Sequence, residues 1–144
     1  MVKIILIGDR VCSVATIPKE NMKMKSKIKE LLIKSRELIS YEHKWGQYAK
    51  AYKCDENGCL KETFTTDPFA SKWCAVGAVY KTFDRPEFNV DEFDAWTIRD
   101  PAIKALNSVS KKFGKRSIVD LNDAEDATHA KVLAAFDLAI DQQF

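Results

Sequence analysis

No apolar run in the sequence approaches the roughly 18 residues needed to span a bilayer. The N-terminal stretch KIILIGDR, residues 3–10, is too short and too soon interrupted by charge to serve as a signal-peptide core. The expectation is a soluble protein retained in the cytoplasm. Glycine is scarce, five in 144 residues, and none follows Gly8 at the spacing of a dinucleotide-binding fingerprint. Neither sign of charge dominates: 23 basic residues against 21 acidic ones leave no global field to draw in nucleic acid, so any basic contact must be local. The four cysteines are irregularly spaced and do not form a secreted disulfide framework, which makes reduced thiols the default. Histidine is limited to His43 and His129, the only imidazole bases available.

What is present fits one domain over residues 1–144, long enough to bury a core without covalent staples. Residues 2–7 and 10–17 are β-branched segments on either side of Gly8-Asp9, a pair suited to a tight turn. They predict an N-terminal hairpin over 1–18, closed by Pro18. Lys19 to Lys29 holds five lysines in eleven residues. Lysines oppose the dipole at a helix N-terminus, so residues 19–25 read as a connector, with a helix following through Ile28, Leu31, Leu32, Leu38 and Ile39. The lysines read as a solvated face that could also contact nucleic acid. Asn57-Gly58 marks a second hairpin, flanked by Cys54 and Cys59. With Cys12 and His43 as the only plausible further ligands, these cysteines read as reduced strand residues; no metal and no cofactor is assigned.

The segment FASKWCAVGAVYKTF, residues 69–83, places Cys74 between a tryptophan and a run of small residues. If Asp67 caps a helix with Pro68 in its first turn, Cys74 lies two turns in, beyond the short reach of the dipole, and packs as core. Ala70, Cys74 and Gly77 would then form a small-residue strip. If the helix starts at Ser71 instead, the thiol lies near free amides and could act as a nucleophile, provided a histidine lies within reach.

Residues 84–100 are acidic and aromatic without a period and read as an ordered loop, with Phe88, Phe93 and Trp96 as a lid or a satellite cluster. Asp100-Pro101 repeats the capping signal and opens a helix through Ile103, Leu106, Val109 and Phe113, ended by Gly114. Thr128 caps a final helix with Val132, Leu133, Phe136, Ala139 and Ile140 on its apolar face, and His129 in line with them. Asp120, Asn122, Asp123, Glu125 and Asp126 fall in the loop before it. The fold expected is α+β: about four helices packed around a central buried helix at Trp73 to Tyr80, with two hairpins.

The ordered set of Trp45, DPFASKWCAVGA, SIVDLND and THAKVLAAFDLAI resembles an uncharacterised family of bacterial and phage proteins, a domain of unknown function, over residues 27–142. Its members pair a Trp-Cys-x-x-Gly-Ala helix with an Asn-Asp loop and a Thr-His-x-x-Val helix. Leu121 stands where many relatives have tryptophan. The resemblance favours Thr128 over Asp123 as the final cap and implies a phage or bacterial accessory protein of the host-takeover or anti-defence kind. Such a protein would bind a host protein or a small anionic, nucleotide-like ligand without catalysis. The candidate binding surface combines Trp45, Tyr48, Tyr52, Asn122 and Asp123. The alternative is a cysteine-dependent hydrolase in which Cys74 attacks, His129 takes the proton and Asn122 or Asp123 orients the imidazole.

Overall fold

The computed structural model describes residues 4–7, 10–13, 19–88 and 95–143, with side chains from residue 22 onward. Two strands open the chain, β1 (Ile4–Ile7) and β2 (Arg10–Ser13). They pair antiparallel with Ile7 opposite Arg10, the hairpin expected. Its turn, Gly8-Asp9, and Pro18 lie outside the described residues.

Helix α1 (Lys19–Leu38) starts at the first lysine, so the expected connector over 19–25 is helical. Lysine, methionine and glutamate are good helix formers, and that propensity outweighs the lysines' unfavourable position at the helix start. Ile28, Leu31, Leu32, Leu38 and Ile39 are buried as predicted. A short 3-10 turn at Glu42–Lys44 leads to the second hairpin, β3 (Ala51–Cys54) and β4 (Leu60–Glu62), with Cys54 opposite Leu60. Its turn is built as the sequence proposed. Gly58 takes φ +79, open only to residues without a Cβ penalty, and the Asp55 carboxylate accepts from the amides of Asn57 and Cys59.

A third strand, β5 (Lys72–Trp73), pairs with the other edge of β3, giving the order β4-β3-β5. This strand corrects the reading of Asp67-Pro68 as a helix start. Pairing Trp73 with Ala51 holds residues 72–73 extended, and the tertiary ladder overrides the local capping signal. Asp67 instead organises a turn. Its carboxylate accepts from the Phe69 amide at 2.8 Å and from the Thr63 hydroxyl, with Lys53 Nζ at 3.2 Å. These contacts, the Thr63 hydroxyl first, hold its pKa at about 2.

Helix α2 (Ala75–Phe83) therefore begins after Cys74. Residues 84–88 turn back on it, and Phe88 is buried beside Phe83 and under Lys27. Trp96 is exposed, so the two aromatics do not form one cluster; Phe93 is outside the described residues. Helix α3 (Arg99–Ser110) has Ile98 at its N-cap position, two residues before the expected Asp100 and without a side-chain capping bond, and leads through a 3-10 turn to Gly114 in left-handed conformation. Asp100 forms an ion pair with Arg99. Residues Ile118–Asp123 form α4, capped by Ser117, where a loop was expected. Burial of Ile118 and Leu121 supports that short turn, so Asp120, Asn122 and Asp123 are helical and only Glu125 and Asp126 precede the last helix as loop. Thr128 caps α5 (His129–Asp141) as read, its hydroxyl accepting from Lys131 N.

The fold is α+β, with five α-helices among the described residues and a small antiparallel sheet. Helix α2 packs on α1, α3 and α4, while α5 seats mainly on α1, α3 and α4. The centre is thus shared between α1, α2 and α3 rather than occupied by one helix. Among the described residues no helix is long and apolar enough to cross a membrane.

Candidate functional site

Cys74 stands at the head of α2, as its N-cap, yet is only 8% exposed. Neither helix start read from the sequence was correct, but both consequences are present: the thiol meets the first-turn amides and is core. Its Sγ accepts from Gly77 N at 3.3 Å. Burial pushes the thiol pKa up, and the opposing pull of the Gly77 and Val76 amides does not overcome it.

The small-residue strip has a backbone reason at Gly77. A Cβ there would lie 1.8 Å from the Lys50 carbonyl oxygen, which also accepts from Cys74 N at 3.3 Å. Glycine lets the segment before β3 lie directly on α2. Ala70 is not part of that helix; it closes the Asp67 turn through its amide.

That segment, residues 45–50, is pinned along its length from α4. Asn122, 1% exposed, uses its whole side-chain amide: Oδ1 accepts from Trp45 Nε1 at 2.8 Å and Ala75 N at 3.0 Å, and Nδ2 donates to Gly46 O at 3.1 Å and Asp123 Oδ1 at 2.8 Å. Asp123 Oδ1 also accepts from Tyr48 N at 2.8 Å. Gln47 Nε2 donates to the carbonyls of Asn122 and Ala124, and the Gln47 carbonyl accepts from the Tyr52 hydroxyl. Burial raises the Tyr52 phenol pKa, helped by the nearby charges of Glu62 and Asp123. Trp45 further makes a parallel bridge to Trp73, and its ring lies 5.9 Å from that of His129.

Trp45, Tyr48, Tyr52, Asn122 and Asp123 therefore do converge, in different roles. Trp45, Tyr52 and Asn122 are internal supports, whereas Tyr48 is 71% exposed. Tyr48 also adopts φ 75, a left-handed backbone rare for a bulky residue. Gln47 was not singled out from the sequence; a lone glutamine in a polar loop carries no signal of the carbonyls it will meet.

The proposed catalytic set is also close in the fold but bonded otherwise. His129 Nε2 donates to the Ile39 carbonyl at 2.6 Å, and Asn122 has no capacity left to orient an imidazole. No hydrogen bond joins Cys74 to His129 among the described residues.

Among the described residues no three His, Cys, Asp or Glu side chains gather as a metal site. Cys54 and Cys59 are exposed free thiols, His43 stacks on Tyr41, and the Cys12 side chain is outside the described part. In the lysine-rich half of α1, Lys27 is paired with Glu30 at 3.0 Å.

No curated protein and no solved structure matches the chain. With Trp45, Cys74, Asn122 and His129 brought to one region of the fold, and a family model matching residues 24–142, the chain belongs to the family of unknown function DUF6197.

Proposed function

We propose that the protein is a non-enzymatic accessory protein of the bacterial or phage cytoplasm that binds another protein, with Tyr48 as its anchor. The observation that carries this reading is the backbone of Tyr48. A tyrosine held at φ 75 stores roughly 1 to 3 kcal/mol of strain, which persists only where surrounding contacts impose it. Here the Asp123 carboxylate holds its amide, and Gln47 and Lys50 on either side are fixed to α4 and α2. The outcome of all these contacts is an aromatic ring held out in solvent on a rigid loop. A preorganised aromatic is the usual form of a binding hot spot, because little conformational freedom remains to be lost on association. The buried, high-pKa thiol and the saturated Asn122 amide favour this reading over the hydrolase.

Tyr48→Gly tests it, since glycine relaxes the strained position while deleting the ring. The expected result is a stability equal to wild type or higher by about 1 kcal/mol. A photo-crosslinking residue at position 48, introduced in growing bacteria, should give a discrete protein adduct that the same residue at exposed Glu56 does not. Loss of stability in Tyr48→Gly, or identical adduct patterns at the two positions, would overturn the proposal.

A further inference from the structure

The two edges of the three-stranded sheet are treated differently. Beyond β5, Trp45 bridges to Trp73 and the Gly46 amide donates to the Trp73 carbonyl at 3.1 Å. Beyond β4 no strand follows in the order β4-β3-β5 among the described residues. Which backbone groups are left open there follows from the ladder. The Thr63 amide donates to the Ala51 carbonyl at 3.1 Å and the Asp55 amide to the Cys59 carbonyl at 2.8 Å. These pairs share the register that sets Lys53 opposite Lys61, so Lys61 and Thr63 turn their backbone groups towards β3. Leu60 and Glu62 therefore turn theirs away from the sheet, and no backbone bond reaches them from other described residues. Two N–H and two C=O groups in a row are a template for a further strand.

The side chains along this edge narrow the choice of occupant. Leu60, 49% exposed, and Phe64, 83% exposed, flank Glu62 on one face by the alternation of the strand. A cleft of about 440 Å³ beside the edge is lined in part by Lys53, Lys61, Thr63 and Asp67. Asp67 already holds Lys53 and the Thr63 hydroxyl, whereas Lys61 makes no ion pair among the described residues. A second copy of the chain fits poorly. Two-fold antiparallel pairing through Leu60 and Glu62 sets Lys61 against its own copy, and a shift towards Phe64 sets Glu62 against its own, like charges directly opposed. Protection from self-pairing accounts for the two charges but not for the apolar side chains left open on either side of them.

We propose that β4 receives an extended segment of another protein as a fourth strand, with a carboxylate opposite Lys61 and apolar side chains opposite Leu60 and Phe64. Main-chain bonds to Leu60 and Glu62 supply the attachment, and the alternate side chains select the partner. The inference stands apart from Tyr48 and holds whether or not that ring is an anchor.

The test is amide hydrogen exchange and NMR titration of the full chain with the capped peptide Thr-Val-Thr-Lys-Glu-Val-Thr, which places glutamate opposite Lys61 when it runs antiparallel to β4. In the free protein the Lys61 amide should exchange more slowly than those of Leu60 and Glu62. Millimolar peptide, the range that a few backbone hydrogen bonds support, should slow exchange at Leu60 and Glu62 and give saturable shifts centred on residues 59–64. The same peptide with lysine in place of glutamate should bind about fivefold more weakly, and Lys61→Glu should reverse that preference. Glu62→Pro removes an outward amide, which an edge strand tolerates, and should weaken binding about tenfold while the Lys61 amide stays protected. Unslowed exchange at Leu60 and Glu62, equal binding of the two peptides, or binding untouched by both variants would overturn the proposal. So would protection of both amides that rises with protein concentration alone, the mark of a second copy.

Discussion

Replacing Asn122 by aspartate changes one atom of the amide and reverses the logic of its hydrogen bonds. One carboxylate oxygen can keep the donors from Trp45 and Ala75. The other takes the place of Nδ2 and faces two acceptors, the Gly46 carbonyl and the Asp123 carboxylate. Two donated bonds are lost, about 1 kcal/mol for the carbonyl and about 2 kcal/mol for the charged partner. A buried negative charge is also left beside another, so a total deficit of about 3 to 5 kcal/mol is expected at neutral pH. Both burial and the neighbouring carboxylate raise the folded-state pKa of the new acid above its unfolded value of about 3.9. The unionised acid can donate to Asp123 and recover part of the network. The deficit should therefore be smallest below about pH 4, grow as pH rises towards the folded-state pKa, and level off above it. Urea unfolding of wild type and Asn122→Asp across pH 4 to 8 measures this directly. A variant as stable as wild type at neutral pH, or a deficit that does not change with pH, would refute the role given to Asn122.

Gly77→Ala should be among the most damaging single-methyl additions in the protein, because the new Cβ would meet backbone, 1.8 Å from Lys50 O and 2.7 Å from its carbonyl carbon. Overpacking of about 1 to 3 kcal/mol and a lost Cys74–Lys50 hydrogen bond of about 1 kcal/mol outweigh the gain of about 1 kcal/mol in helix propensity. Chemical denaturation should read a net loss of roughly 1 to 3 kcal/mol, and an unchanged midpoint would show that the segment before β3 can retreat freely. In a chain with Cys12, Cys54 and Cys59 replaced by serine, Cys74 should be alkylated slowly at neutral pH and quickly only on unfolding, since the thiol is buried and its pKa raised. Rapid modification that His129→Ala slows without unfolding would revive the hydrolase.

The parts of this fold that could be read from the sequence are those in which cause and effect lie within a few residues. The apolar period of α1, the Asn57-Gly58 turn, the Thr128 cap and the Gly114 stop are each settled by near neighbours, and each stands where the residues placed it. Asp67-Pro68 had the same local form as a helix start but lost to a pairing between Ala51 and Trp73, 22 residues apart, which no local signal announces. The lost start moved Cys74 from the second turn of a helix to its cap. The candidate site shows the same division one level higher. Sequence could gather Trp45, Asn122 and Asp123 as polar and aromatic residues of interest, but roles depend on how much hydrogen-bonding capacity remains once the chain has folded. Asn122 has none left and is a structural node, Tyr48 has its amide held and its ring released, and Thr82, unremarkable in an apolar helix, keeps a buried hydroxyl unspent. What remains available for contact in the candidate site is therefore the exposed Tyr48 ring rather than the polar residues that the fold has already used.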